Sequence, residues 1–191
     1  MKSYFLIVLS LLTVCPLFAQ PQPLWAEVEI TDALKGRNEV PFTQPQLRWS
    51  DFQGKPDKKS DWTAMTYSGI KLKYESKYYD HRQHILIKLY PYMDQSRSWY
   101  QENGHNNYTL AHEQIHFNIT ILIATQLAEV LRNTDFTKDN FSKKINRLHD
   151  AYIQKLEDLQ AQYDDETAHG TKPLPQRRWA REVQQQLSAF D

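Results

Sequence analysis

Apolar and polar positions change rhythm several times along this chain. Phe5 to Val14 is an almost unbroken apolar run. Residues 20–45 then carry Pro21, Pro23, Pro41 and Pro45 with little periodicity, which predicts extended chain with one short strand near Trp25–Ile30. Trp49-Ser50-Asp51-Phe52 leads into a polar loop, Gln53–Asp61. Two strand-like segments follow. Thr63–Ser76 alternates apolar and polar residues from Ile70 to Tyr74, and His84–Tyr92 reads as a strand until Pro91. The polar stretch at Asp80-His81-Arg82 between them predicts an antiparallel hairpin.

From about Tyr108 the period becomes helical. Asn106 or Asn107 can cap a helix running to about Asn133. Leu110, Ile115, Ile119, Leu122, Ile123, Leu127, Val130 and Leu131 cover most of its circumference, so it is buried on several sides. A second helix, about Lys138 to Tyr163, has one stripe through Phe141, Ile145, Leu148, Tyr152, Leu156, Leu159 and Tyr163. After Gly170, Pro173 and Pro175 a third helix closes the chain. This order predicts an α+β fold: a small antiparallel sheet packed on the buried helix, followed by two more helices.

The apolar start changes the picture of where the protein works. Lys2, the Phe5–Val14 run, Pro16 and a small residue at Ala19 have the layout of a secretory signal peptide over residues 1–19. The run is shorter than the ~20 residues that span a membrane. Residues 20–45 are then an extended N-terminal segment and 46–191 one domain, exported to the periplasm or beyond, with no membrane span and working as a monomer. Loss of residues 1–19 removes Lys2 and the sole cysteine, Cys15, leaving 22 Lys+Arg against 23 Asp+Glu. That balance gives no footprint for nucleic acid. Without cysteine, neither disulfides nor thiolate ligands are available, so a metal must be held by His, Asp or Glu.

The chemistry is concentrated in His112-Glu113-Gln114-Ile115-His116. Histidines four apart on a helix point to one spot and can share a Zn²⁺. Glu113, next to the first ligand, reaches a metal-activated water without binding the metal and can act as general base. Three ionisable groups on an otherwise apolar helix also need partners, because unpaired burial is costly. A helix edge with satisfied polar residues is the bland competitor.

Zinc requires a third protein ligand and, for catalysis, an open fourth position. Leu122 stands where the metzincin extension needs histidine, which excludes that class. Glu157 lies beside the stripe of the second helix. The remaining option is Tyr163-Asp164-Asp165-Glu166-Thr167-Ala168-His169-Gly170, where Glu166 and His169 are possible ligands. Tyr163 is a candidate hydrogen-bond donor to an oxyanion, against a plain role as the last residue of a core stripe. His105, just before the helix, is a second candidate donor. Trp49, Trp62, Trp99 and Trp179 fit core or rim.

Trp49-Ser50-Asp51-Phe52, His112-Glu113-Gln114-Ile115-His116-Phe117, the segment from Tyr163 to Gly170 and Gln176-Arg177-Arg178-Trp179 resemble a bacterial family of secreted zinc-dependent proteases, catalogued as domain of unknown function 922. The resemblance runs from about Leu47 to Leu187. It implies a zincin-like fold, His112 and His116 as ligands, Glu113 as base, His169 rather than Glu157 as third ligand, and a peptide or related amide as substrate. In such enzymes an edge strand beside the helix pairs with substrate, and His84–Tyr90 is the expected one. A non-catalytic metal-binding module that meets a cell-envelope partner is the rival reading.

Overall fold

One strand organises the sheet. The computed structural model describes residues 24–32, 38–44, 46–79 and 82–190, so the expected signal segment, 1–19, lies outside the described residues. Strand β5 (Arg82–Asp94) is paired along one edge by antiparallel β4 (Ser68–Tyr79), from Ser68 opposite Met93 to Tyr79 opposite Arg82. Its other edge is filled in two pieces. Strand β1 (Trp25–Ile30) runs parallel to Trp25↔His84 through Ile30↔Leu89, and β2 (Glu39–Pro41) runs antiparallel opposite Tyr92–Asp94. The sheet is therefore mixed, not purely antiparallel. The segment read as mostly extended chain supplies two of its strands.

This pairing corrects two expectations about β5. The strand does not stop at Pro91. Leu89 O accepts from Thr31 N, so the backbone groups of Leu89 and, two residues on, Pro91 face away from β4. Pro91 meets the gap between β1 and β2, where its missing N–H costs no ladder bond. Nor is His84–Tyr90 an edge strand: both its edges are occupied, and no substrate can pair with it.

Alternation along β5 sets the core. Ile85, Ile87, Leu89 and Met93 all point to one fully buried face. Against it lies helix α1 (Asn107–Arg132), through Ile115, Ile119, Leu122, Ile123, Leu127 and Leu131. Helix α2 (Phe141–Thr167) runs antiparallel to α1, adding Ile145, Leu156 and Tyr163, and α3 (Pro173–Leu187) adds Trp179 and Val183. The fold is α+β, a small sheet with three helices. A smaller cluster of Val40, Leu47, Phe52, Met93 and Phe117 anchors the segment before the polar loop. A short ladder of β3 (Ala64–Met65) and β6 (Trp99–Tyr100) sits beside the start of α1. Among the described residues no helix is long and apolar enough to cross a membrane.

Candidate metal centre

The first turn of α1 is fixed by its cap. Asn106 is extended, and its side chain accepts from Thr109 N at 2.9 Å. One turn later come His112, Glu113 and His116, at 4%, 2% and 7% exposure. Gln114, between them, points elsewhere: its Oε1 accepts from Leu47 N at 2.7 Å and its Nε2 donates to Asn118 Oδ1 at 2.8 Å. It ties the motif helix to the stretch just before Trp49–Phe52. Thr66 Oγ1 donates to Glu113 O at 3.4 Å from the β3 side.

The two imidazoles meet on one atom. His112 Nε2 and His116 Nε2 each lie 3.1 Å from Asp164 Oδ1, in the last turn of α2. The ligand atoms of His112, His116 and Asp164 all fall within 4.8 Å of one another. Ligands on a tetrahedral zinc with bonds near 2.0–2.1 Å stand ~3.3 Å apart, so the spacing suits a shared ion. His112 Nδ1, His116 Nδ1 and Glu113 Oε2 are buried with no hydrogen-bond partner. Buried polar atoms without partners are rare in a finished fold. Glu113 Oε2, beside the His112–His116–Asp164 cluster, is free to accept from a water at the site. The donor set, nitrogen and oxygen only, fits zinc.

Electrostatics run the same way. Burial opposes ionisation of Asp164, but the hydrogen bonds and charge of His112 and His116 outweigh it and hold the carboxyl far below the usual carboxylate range. For His116, burial again works against the charged form, while the Asp164 hydrogen bond and the charges of Glu113 and Asp164 raise the pKa overall. An ionised Asp164 favours a cation at this spot, and the proton held on His116 is the one a metal would displace.

Asp164 was not foreseen as a ligand. The second helix was expected to end near Tyr163, but it continues one turn to Thr167. It closes with His169 N on Asp164 O at 2.8 Å and Ala168 N on Asp165 O at 3.1 Å, the paired bonds of a Schellman cap. Ala168 and His169 are left-handed at φ 48° and 51°, followed by Gly170 at 80°. The available signal was geometric: Asp164 is seven residues after Glu157 and so on nearly the same helix face. Glu157 itself is exposed, two turns too early.

The other expected site residues land differently. His169 is half-exposed at the rim, its Nδ1 3.6 Å from Asp164 Oδ1 and its ring 5.4 Å from Trp62. It stands outside the tight His112–His116–Asp164 cluster. Glu166 is drawn off to α3, where Trp179 Nε1 donates to it at 2.8 Å and Arg178 pairs with it. Tyr163 is fully buried behind the histidines, stacked on His112 at 4.6 Å and edge-on to His116 at 4.9 Å. Its hydroxyl faces His112 O at 3.4 Å, not the cavity. Burial first, then the nearby Glu113 and Asp164, push its pKa far up. In this arrangement Tyr163 packs against both rings, and its hydroxyl is turned away from the cavity where an oxyanion donor is expected. His105 stacks on Tyr100 at 5.1 Å, outside the cavity lining.

A cavity of about 630 Å³ opens over this cluster. Trp62 to Thr66 form one wall, the α2–α3 turn from Ala168 to Thr171 another, and Tyr108, Gln160 and Asp61 complete the mouth. Gln160 Nε2 is held by Thr120 Oγ1 at 3.2 Å and Ser68 Oγ at 3.3 Å, which fixes the amide at the cavity wall.

No curated protein and no solved structure matches the chain. Residues 93–170 match the model of a family described as a bacterial protein of unknown function, DUF922, which supports the resemblance over a shorter span than the motifs suggested. The matched stretch begins at the end of β5 and stops at Gly170, so it contains every residue of the cluster: His112, Glu113, His116, Asp164 and, at the rim, His169.

Proposed function

We propose that this chain is an exported zinc-dependent hydrolase of zincin-like type that cleaves peptide or related amide bonds. The observation that carries the reading is the convergence of His112 Nε2 and His116 Nε2 on one Asp164 oxygen, beside the unpartnered Glu113 Oε2. His112, His116 and Asp164 would hold the ion. Zinc bound there supplies Lewis acidity, bringing the pKa of a coordinated water to about 7 and polarising a carbonyl. Glu113 takes the proton of the attacking water on Oε2 and returns it to the leaving nitrogen. Its own main-chain carbonyl is held by Thr66, so the carboxylate is aimed from a fixed point.

The wall Trp62–Thr66 takes over the role expected of β5. Strand β3 is paired only by β6 among the described residues, and the segment lines the cavity. An extended peptide can add to its second edge.

Metal analysis combined with a peptide-library cleavage assay tests the reading. Glu113→Gln is expected to keep stoichiometric zinc and lose hydrolysis by about 10²–10⁴-fold; full activity in that variant would sink the mechanism. Export is tested by N-terminal sequencing of the protein recovered outside the cytoplasm, expected to begin near Gln20. Recovery of the whole chain in the cytoplasm would count against it.

One observation favours the second reading, a closed, non-catalytic metal site. His169 Nδ1 stands 3.6 Å from the ligand oxygen and could add a fourth protein ligand. X-ray absorption on the zinc-loaded protein separates the two: three protein ligands plus a light oxygen for the hydrolase, three histidines plus a carboxylate for the closed site.

A further inference from the structure

The metal cavity does not end at its own mouth. Tyr108, 42% exposed on the first turn of α1, lines that cavity and also a second hollow of about 810 Å³ between α1 and α3. The two hollows occupy neighbouring sides of the same helix. His112, Glu113 and His116 face one; Ala111, Ile115 and Asn118 face the other, with Tyr108 on the ridge between them. The chain crosses the same divide on the far side, with Thr171 in the cavity and Pro173 in the groove. Ala111 on α1 and Ala180 on α3 line the groove with small side chains.

The two hollows differ in charge. Asp61, Glu113 and Asp164 line the metal cavity, and no lysine or arginine does among the described residues. The groove is the reverse: Arg177 and Arg181, one turn apart on α3, line it, and no acidic residue does. Neither arginine has a carboxylate within ion-pair distance among the described residues, whereas Arg178, between them, is paired with Glu166 and Glu182. Two guanidinium groups without a carboxylate partner, beside Ile115, Ala111 and Ala180, match an occupant with apolar side chains and carboxylates.

We infer that the α1–α3 groove is a second binding site for the substrate, and that the substrate is a polypeptide carrying an apolar and acidic segment a few residues from the bond presented to the metal cavity. This rests on the hydrolase reading for the cavity and adds a requirement of its own, a chain long enough to pass Tyr108. A free amino acid amide or a dipeptide fills only the cavity. The continuity of the two hollows through Tyr108 and the matching of charge to an acidic segment select a substrate chain over a second copy of this protein.

The test uses direct binding, so it does not depend on turnover. The probe is a fluorescein-labelled peptide of about twelve residues, ~40 Å when extended, with two leucines and two glutamates at one end. A control peptide has lysines in place of the glutamates. Anisotropy titration of the zinc-loaded Glu113→Gln protein is expected to give tighter binding of the acidic probe by at least about tenfold. Arg177→Glu with Arg181→Glu should abolish that preference, and Ala180→Tyr should weaken both peptides by filling the groove. All three positions are exposed, and unchanged zinc content and melting temperature in the variants confirm that they fold.

Equal binding of the two peptides, or affinities untouched by both groove variants, overturns the inference. Probe binding that drives the protein into dimers, seen by light scattering, overturns it in favour of a self-association surface. Charge-selective binding without cleavage of any peptide by the wild-type protein leaves the groove assignment standing and removes the hydrolase reading.

Discussion

Gly170 packs directly on the His112 ring. A Cβ built on that glycine would sit 3.0 Å from His112 Cγ and 3.1 Å from Nδ1, and the residue already has φ +80°. Both facts favour glycine: the left-handed backbone penalises a side chain, and a Cβ there would press on the His112 ring until it shifted by a few tenths of an ångström. The close of α2 and the orientation of the His112 ring are thus one structural unit. Gly170→Ala is expected to cost about 1–2 kcal/mol from the backbone alone, and more if His112 yields. Its signature is a loss of zinc affinity larger than the loss of metal-free stability. A variant that melts lower in EDTA but binds zinc normally would show that the glycine serves the turn and not the ligand.

The ligand set makes a sharper prediction. Asp164→Ala removes the atom on which both histidines converge, and zinc retention after dialysis should fall by at least about a hundredfold. His169→Ala, at the half-exposed rim, should leave zinc near one per chain, and Glu157→Gln should change nothing. If His169→Ala strips the metal while Asp164→Ala keeps it, the third ligand is the histidine, and the side chain at 3.6 Å moves inward when the ion binds.

How much of this was legible beforehand follows from what each residue's position depends on. His112, Glu113 and His116 are set by spacing within one helix, so their common direction is written in the sequence itself. The buried all-round pattern of α1 and its cap at Asn106 were likewise local. Asp164 depends on where α2 crosses α1, a tertiary quantity. Periodicity named the right face through Glu157 but not the right turn. The helix end is hidden in the sequence for a local reason: a Schellman cap built on Ala168 and His169 carries no glycine until its third residue. Tyr163 illustrates a different gap: the stripe said it was buried, and only the packing says that its hydroxyl faces backbone instead of cavity. The strand order failed for a third reason. The parallel pairing of β1 with β5 joins segments about 60 residues apart, and nothing in the alternation of either strand announces its partner.

On the proposed zinc site, proton and metal compete for the same groups, and the shifts give the direction. Asp164 has a folded pKa below its unfolded one, so its contribution to stability is full above the unfolded value, near ~3.9, and is lost as pH falls from there through the lowered folded one. His116 has a folded pKa above the ordinary imidazole value of ~6.5, so its contribution is full below that value and is lost as pH rises through the raised one. The metal-free protein should therefore be most stable between these limits, at mildly acidic pH. Zinc needs neutral imidazole, so the stabilisation it adds should grow from pH 5 to pH 8. Thermal melts in EDTA and in excess zinc across that range check both. A metal-free melting temperature that climbs steadily above pH 6 would contradict the raised His116 pKa.

Tyr163 separates ring from hydroxyl. The ring is wholly buried between His112, His116 and Trp179, whose centroid lies 5.4 Å away. The hydroxyl makes one long contact, 3.4 Å to His112 O. Tyr163→Phe keeps the stacking and should leave zinc affinity and hydrolysis within a few-fold of wild type. Tyr163→Leu removes the aromatic wall behind both ligands. It should cost about 2–4 kcal/mol of stability and loosen zinc because the imidazoles lose the surface that holds their rotamers. If Tyr163→Phe instead abolished hydrolysis with zinc still bound, the hydroxyl would have to reach the reacting carbonyl. The helix end carrying Asp164 would then have to turn the phenol from the backbone into the cavity during catalysis.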